Sequence, residues 1–165
     1  MPEPDPDDLG LDQGPGLVLG PELHASTTVS DFILSTADVP ILRGPRGEGK
    51  TTGGILRIIW VARQNKDAQP LKVIVVRDTW MNLQRTVSES LLEGAQAGWW
   101  RVEFKEQGTE VVLNGGMARL FLLGMDRPAD ANKLQGMTGG MGWIEEPAPA
   151  ADLSSGVPVD VFGLL

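Results

Sequence analysis

Residues 44–51 read Gly-Pro-Arg-Gly-Glu-Gly-Lys-Thr, a full match to the GxxxxGK(S/T) phosphate-binding pattern, and the apolar run Val39-Pro40-Ile41-Leu42 stands directly before it. The spacing follows from the chemistry it serves. Glycines let backbone N–H groups turn inward around phosphate oxygens, Lys50 is placed to reach the β- and γ-phosphates, and the Thr51 hydroxyl is placed to ligate Mg²⁺. A nucleoside triphosphate is therefore the first ligand to expect, held by Gly44, Pro45, Arg46, Gly47, Glu48, Gly49, Lys50, Thr51 and Thr52.

The flanking sequence agrees with that reading. From Lys50 to about Gln64, Ile55, Ile58, Ile59 and Ala62 recur at helical spacing, and Leu56, Trp60 and Val61 make the segment apolar nearly all round. A buried helix starting at the loop is predicted, with its N-terminal dipole aimed at the phosphates in a strand–loop–helix unit. The bland alternative is a plain glycine turn between a strand and a helix.

Further along, the chain alternates. Leu71–Arg77 (LKVIVVR) suits a buried parallel strand, and Asp78 or Thr79 would cap a helix running to about Gln96, with Trp80, Leu83, Val87 and Leu91 on one face. Three short β-like runs follow at 101–105, 109–113 and 117–123, separated by Gly108 and by Asn114-Gly115-Gly116. They predict an antiparallel addition to the sheet. A short helix near 130–134 and a last strand, Met141-Gly142-Trp143-Ile144, lead to Glu145-Glu146. The class is α/β.

Length and composition bound the rest. A chain of 165 residues that is 41% hydrophobic can bury one core, and the absence of cysteine excludes a disulfide framework and thiolate metal sites. Residues 1–42 hold eight of the 22 acids and no Lys or Arg, which leaves fourteen acids against fourteen bases from Arg43 onward. Residues 1–28 are read as a disordered acidic tail and 29–165 as the folded domain. The overall acidity argues against strong nucleic-acid binding by this segment alone. No run is long enough to span a membrane, and a soluble, intracellular protein is the simplest reading. His24 has no Ser or Cys partner in a triad pattern and is read as a surface residue. The five tryptophans are read as packing, with Trp99-Trp100 able to form an exposed contact patch.

The Glu145-Glu146 pair is the second chemical feature. An acidic pair after an apolar run is often only a solvated strand end. Beside a phosphate loop, adjacent carboxylates at the carboxyl edge of a sheet can serve a metal and an attacking water.

Three segments together carry a resemblance: FILSTADVPILRGPRGEGKTT around the loop, VIVVRDTWMNLQRTVSESL after it, and FLLGMDRPADANKLQGMTGGMGWIEEPA leading into the acidic pair. Over roughly residues 30–150 the chain resembles the ATPase domain of tailed-phage terminase large subunits, the motors that package DNA into procapsids. The resemblance implies an additional-strand P-loop ATPase fold, mainly parallel with antiparallel additions and incomplete at the C-terminus, and it implies ATP and Mg²⁺ as cofactors. By the same resemblance, Thr51 and Glu145 would serve the metal, Glu146 would be the catalytic carboxylate, and Arg46 would stabilise charge on the γ-phosphate. The partners implied are double-stranded DNA, the portal protein, the small terminase subunit and further copies of the chain, in the host cytoplasm.

Departures from that pattern carry expectations too. Glu48 stands where a small residue is usual, and an anion there would weaken triphosphate binding unless it points outward or pairs with a base. Glu145 stands where Asp is more common. Arg101, Arg127 and Lys133 are candidates for a trans-acting cation by sign and placement only. Asn65-Lys66-Asp67 lacks the intervening residue of a guanine-specificity motif. The family's coupling motif and nuclease domain would lie beyond Pro149, and residues 157–165 form an apolar run, so a truncated module is expected. Two other classes stay open: a different P-loop ATPase or nucleotide kinase, and an inactive nucleotide-binding fragment.

Overall fold

The structure, a computed structural model, describes residues 23–126, 128–146 and 157. Its centre is the strand predicted from LKVIVVR. β1 (Leu71–Arg77) is buried along its length except at Lys72, because both its neighbours and both its faces are covered. It pairs in parallel with β4 (Ala118–Gly124) on one side and with β5 (Met141–Ile144) on the other. β2 (Val102–Lys105) and β3 (Glu110–Leu113) extend the sheet antiparallel beyond β4, giving the order β2-β3-β4-β1-β5. The fold is thus α/β with a five-stranded mixed sheet, half of its pairings parallel and half antiparallel rather than mainly parallel.

Alternate residues of β1 serve two cores. Val73 and Val75 join Ile55, Ile58, Ile59 and Ala62 of α2 (Lys50–Gln64), together with Leu83, Val87 and Leu91, in the larger cluster. Ile74 and Val76 face the other way, onto Met125, Leu134 and Val157. A continuous β-branched run is what a strand buried on both faces requires.

The helix predicted after β1 forms with an interruption in its winding. Thr79 caps α3 (Trp80–Leu83), its side chain accepting from the Asn82 N–H at 3.1 Å. The chain then widens into a π-helical turn (Gln84–Ser88) and returns to α4 (Glu89–Gln96). Gly124 lets β4 end against this helix start, since a Cβ there would lie 2.2 Å from the Trp80 nitrogen. Asp126, two residues on, accepts from the Trp80 N–H at 3.2 Å. The Gly-Met-Asp string is therefore a seam between β4 and α3. The segment 130–134 is part of a 3₁₀ turn, Pro128–Leu134.

One expectation fails. Val39-Pro40-Ile41-Leu42 forms no strand, and Val39 and Ile41 are 75% and 70% exposed. Pro40 has no N–H to give a ladder and sits in the middle of a four-residue run, so an interior strand position is unfavourable. α1 (Thr27–Leu34), a helix capped by Ser26, packs instead against α2, the helix that follows the loop. The buried Arg57 of α2 donates to the carbonyls of Phe32 and Ser35 at 2.8 Å each, and more weakly to those of Ile33 and Ala37. Those acceptors are the orphan carbonyls at the end of α1 and just past it. Burial lowers the Arg57 pKa from its ordinary value.

Of the tail read over residues 1–28, residues 1–22 lie outside the described residues, whereas Ser26 caps α1 and Thr27 and Thr28 form its first turn, so the ordered domain begins before residue 29. The C-terminal apolar run also lies outside the described residues, apart from Val157, which is fully buried. Trp100 is 4% exposed and donates its indole N–H to the Leu91 carbonyl at 2.8 Å. Trp99 packs on the larger cluster, edge-on to Trp100 at 5.9 Å. Both are packing residues, and the exposed aromatic patch is not present. Among the described residues, no helix is long and apolar enough to cross a membrane.

Candidate functional site

Gly47 and Gly49 both take left-handed backbone angles, φ 84° and 70°, which explains why glycine recurs every second position here. Gly49 is the N-cap of α2 and offers no side-chain oxygen to its first turn. The first intrahelical bond, from the Gly53 N–H to the Gly49 carbonyl, leaves the Lys50, Thr51 and Thr52 amides without partners of the helical kind. An exposed helix end of this type attracts anions. Lys50 lies along the loop, its ammonium donating to the carbonyls of Gly44, at 2.9 Å, and Pro45.

Glu48 does not point away from the loop. Its carboxylate folds back over Gly44, with Oε2 2.3 Å from where a Cβ on Gly44 would stand. A side chain at position 44 would displace that carboxylate. Arg46 is exposed at the loop tip.

The loop meets the acidic pair across the fold. The Thr51 hydroxyl donates to Glu145 Oε1 at 2.7 Å, joining residues 94 apart in sequence. Two structural causes bring them together. Glu145 continues the β1–β5 ladder, its N–H donating to the Val76 carbonyl at 2.9 Å, so it sits at the carboxyl edge of the sheet. Gly54, one turn into α2, lets the Trp143 ring approach to within 2.6 Å of where a Cβ would be, which brings α2 close to β5.

Glu145 is 13% exposed at its side chain, and burial pushes its carboxyl above the usual range. The Thr51 hydroxyl, Arg77 and the Trp143 side chain pull it back down, while Glu146 pushes it up. Glu146 differs. Its side chain is 61% exposed, its φ is +53°, and its carbonyl accepts from the Val157 N–H.

Arg77, the last residue of β1, organises this edge. It is 5% exposed, and its guanidinium lies 2.6 Å from Glu146 Oε2, 3.7 Å from Glu145 Oε1 and 3.5 Å from Asp78 Oδ1. It also donates to Thr86 Oγ1 at 2.9 Å, and that hydroxyl, in the π-helical stretch, donates to the Asn82 carbonyl of α3. The wider turn is what presents Thr86 to the sheet edge. Sequence reasoning missed Arg77 and Thr86. The available signal was an arginine ending an otherwise apolar strand, which demands acidic partners once buried.

Of the suggested trans-acting cations, Lys133 is paired with Asp130 at 2.9 Å and the Arg101 amide donates to Asn114. Arg127 lies outside the described residues.

No protein-family profile, curated protein or solved structure matches this chain. The chemistry of the site therefore has to be argued from its own donors. Among the described residues, no three His, Asp, Glu or Cys side chains converge to hold a metal. One hydroxyl and one carboxylate do meet, and that donor set fits Mg²⁺, which keeps several waters and takes the rest of its shell from substrate phosphates.

Proposed function

We propose that this chain is the ATP-binding and hydrolysing module of a viral DNA-packaging motor of the terminase large-subunit type, with an additional-strand P-loop fold. The observation that carries the reading is the 2.7 Å bond between Thr51 and Glu145. That bond sets a hydroxyl of the GKT sequence beside a buried carboxylate at the carboxyl edge of the sheet, the pair of donors a Mg²⁺–triphosphate site would use.

In this mechanism the unpaired amides of residues 50–52 bind phosphate oxygens, and Lys50 exchanges its loop carbonyls for the β/γ-phosphates. Thr51 and Glu145 would hold Mg²⁺, which would supply positive charge against the phosphates. Arg77 opposes the rise that burial imposes on the Glu145 carboxyl and pairs with Glu146 at the same edge. Glu146, more solvated and next in sequence, orients the attacking water and accepts its proton. For that it must exchange its Arg77 contact for the water. Arg46, on the loop tip, is within the segment that would face the γ-phosphate.

The test is Mg²⁺-dependent ATP binding and turnover by the purified chain, with and without duplex DNA, beside Lys50→Ala and Glu146→Gln. The reading expects Lys50→Ala to lose binding and Glu146→Gln to bind ATP without turnover. It also expects DNA to raise the turnover of the unaltered chain. Turnover that survives Glu146→Gln, or binding indifferent to Lys50→Ala, would overturn it.

A further inference from the structure

The two ends of the Arg77 guanidinium treat the two carboxylates of the sheet edge differently. Nη2 lies 2.6 Å from Glu146 Oε2, a charge-assisted hydrogen bond, while Nη1 stops 3.7 Å from Glu145 Oε1, outside hydrogen-bonding range. Charge does not explain the gap, since it attracts at both ends. Nη1 is engaged elsewhere, donating to the Thr86 hydroxyl at 2.9 Å.

The polarity of that hydroxyl is fixed. Thr86 gives its one proton to the Asn82 carbonyl at 2.8 Å, so only lone pairs face Arg77. This is the i to i−4 back-bond of a helical threonine, made from a stretch that has widened into the π-turn Gln84–Ser88. Asn82 is anchored in turn. Its side-chain amide donates to both carboxylate oxygens of Asp78, at 3.0 and 2.9 Å, and its N–H to the Thr79 cap. The acceptor offered to Nη1 is thus neutral, oriented and tied back to the residue that follows Arg77.

A neutral acceptor matters because Glu145 has other work. Its Oε1 accepts from the Thr51 hydroxyl at 2.7 Å, and it is the carboxylate that would serve Mg²⁺. A guanidinium bonded directly to it would compete with a cation for the same lone pairs. Arg77 as placed lends its charge without taking the oxygen. At 5% exposure it has little access to water as a substitute partner. With the Thr86 hydroxyl gone, closing the gap to Glu145 Oε1 by about 1 Å would satisfy Nη1.

We infer that Thr86 is a positioning residue of the Mg²⁺–triphosphate site: by holding Arg77 Nη1 off Glu145, it keeps that carboxylate open to the metal and sets the Mg²⁺ concentration at which nucleotide binds. The inference rests on the proposed triphosphate reading. Thr86 acts through Arg77 and touches neither nucleotide nor metal.

The experiment titrates free Mg²⁺ at fixed ATP, by calorimetry, on the unaltered chain, Thr86→Val, Thr86→Ala and Thr86→Ser, with urea unfolding to report that each is folded. In Thr86→Val and Thr86→Ala the Mg²⁺ needed for half-maximal ATP binding should rise by about tenfold, because the metal then displaces a charge-assisted hydrogen bond. ATP affinity at saturating Mg²⁺ should stay unchanged, and Thr86→Ser should restore the original requirement. Added to Arg77→Met, Thr86→Val should have no effect of its own on that requirement, an outcome that a purely structural role in the π-turn would not give. An unchanged Mg²⁺ requirement without the hydroxyl, or an equal rise with and without Arg77, overturns the role of Thr86 and leaves the phosphate loop standing. If the unaltered chain binds no ATP, or binds it without regard to Mg²⁺, the triphosphate reading itself falls and takes the positioning role with it.

Discussion

Replacing Arg77 by methionine tests the sheet-edge electrostatics most directly. At 3.7 Å from Glu145, two unit charges attract by about 4 kcal/mol at an effective dielectric constant of ~20. Methionine forfeits that attraction but also avoids the cost of burying a guanidinium, and its chain fills much of the same volume. The Glu146 contact, though shorter, involves a side chain 61% exposed and is worth at most about 1 kcal/mol. The expected destabilisation is about 2–3 kcal/mol near neutral pH, read from urea unfolding by tryptophan fluorescence.

Its pH dependence carries the sharper test. The Glu145 carboxyl already sits above its ordinary range because of burial, and Arg77 is one of the groups holding it down. Without Arg77 it rises further. A carboxyl raised on folding contributes stability that is full below its unfolded value and is lost as pH climbs through the folded value. The deficit of Arg77→Met should therefore shrink as pH falls from ~7 toward ~4, where the carboxyl takes up a proton. Glu145→Gln, added to Arg77→Met, should recover stability. A deficit that stays constant with pH, or that simply adds to the cost of Glu145→Gln, would refute the argument that Glu145 is the charge Arg77 compensates.

Two further outcomes follow from side chains already placed. Gly94→Ala puts a Cβ 2.0 Å from the ring of Trp100, which its bond to Leu91 prevents from retreating. The overpacking should exceed the ~1 kcal/mol gained in helix propensity, giving a net loss of about 2 kcal/mol in denaturant melts. Glu48→Ser removes a carboxylate folded over Gly44. Nucleotide affinity should rise by a few-fold at low ionic strength and by less in high salt, measured by titration calorimetry.

What the sequence made legible is what periodicity and short-range chemistry encode. The burial of β1, the helix from Lys50 to Gln64, the Thr79 cap and the turns at Gly108 and Asn114-Gly115-Gly116 each follow from a local rule. The pairing of Thr51 with Glu145 was inferable only by joining two motifs 94 residues apart. The rest was illegible for specific reasons. Val39-Pro40-Ile41-Leu42 has a strand's composition, but the proline and missing neighbours decide against it. Arg57 and Arg77 look in sequence like surface charges, and their burial is set by carbonyls and carboxylates that only the fold brings near. No propensity scale signals that α3 widens at Gln84.

Arg57 also has a mechanical consequence. By tying the carbonyls from Phe32 to Ala37 onto the helix that begins at Lys50, it works as a clamp on the chain just upstream of the phosphate loop. Between that clamp and Gly44 none of these bonds reaches the chain, and Val39 and Ile41 stand exposed there.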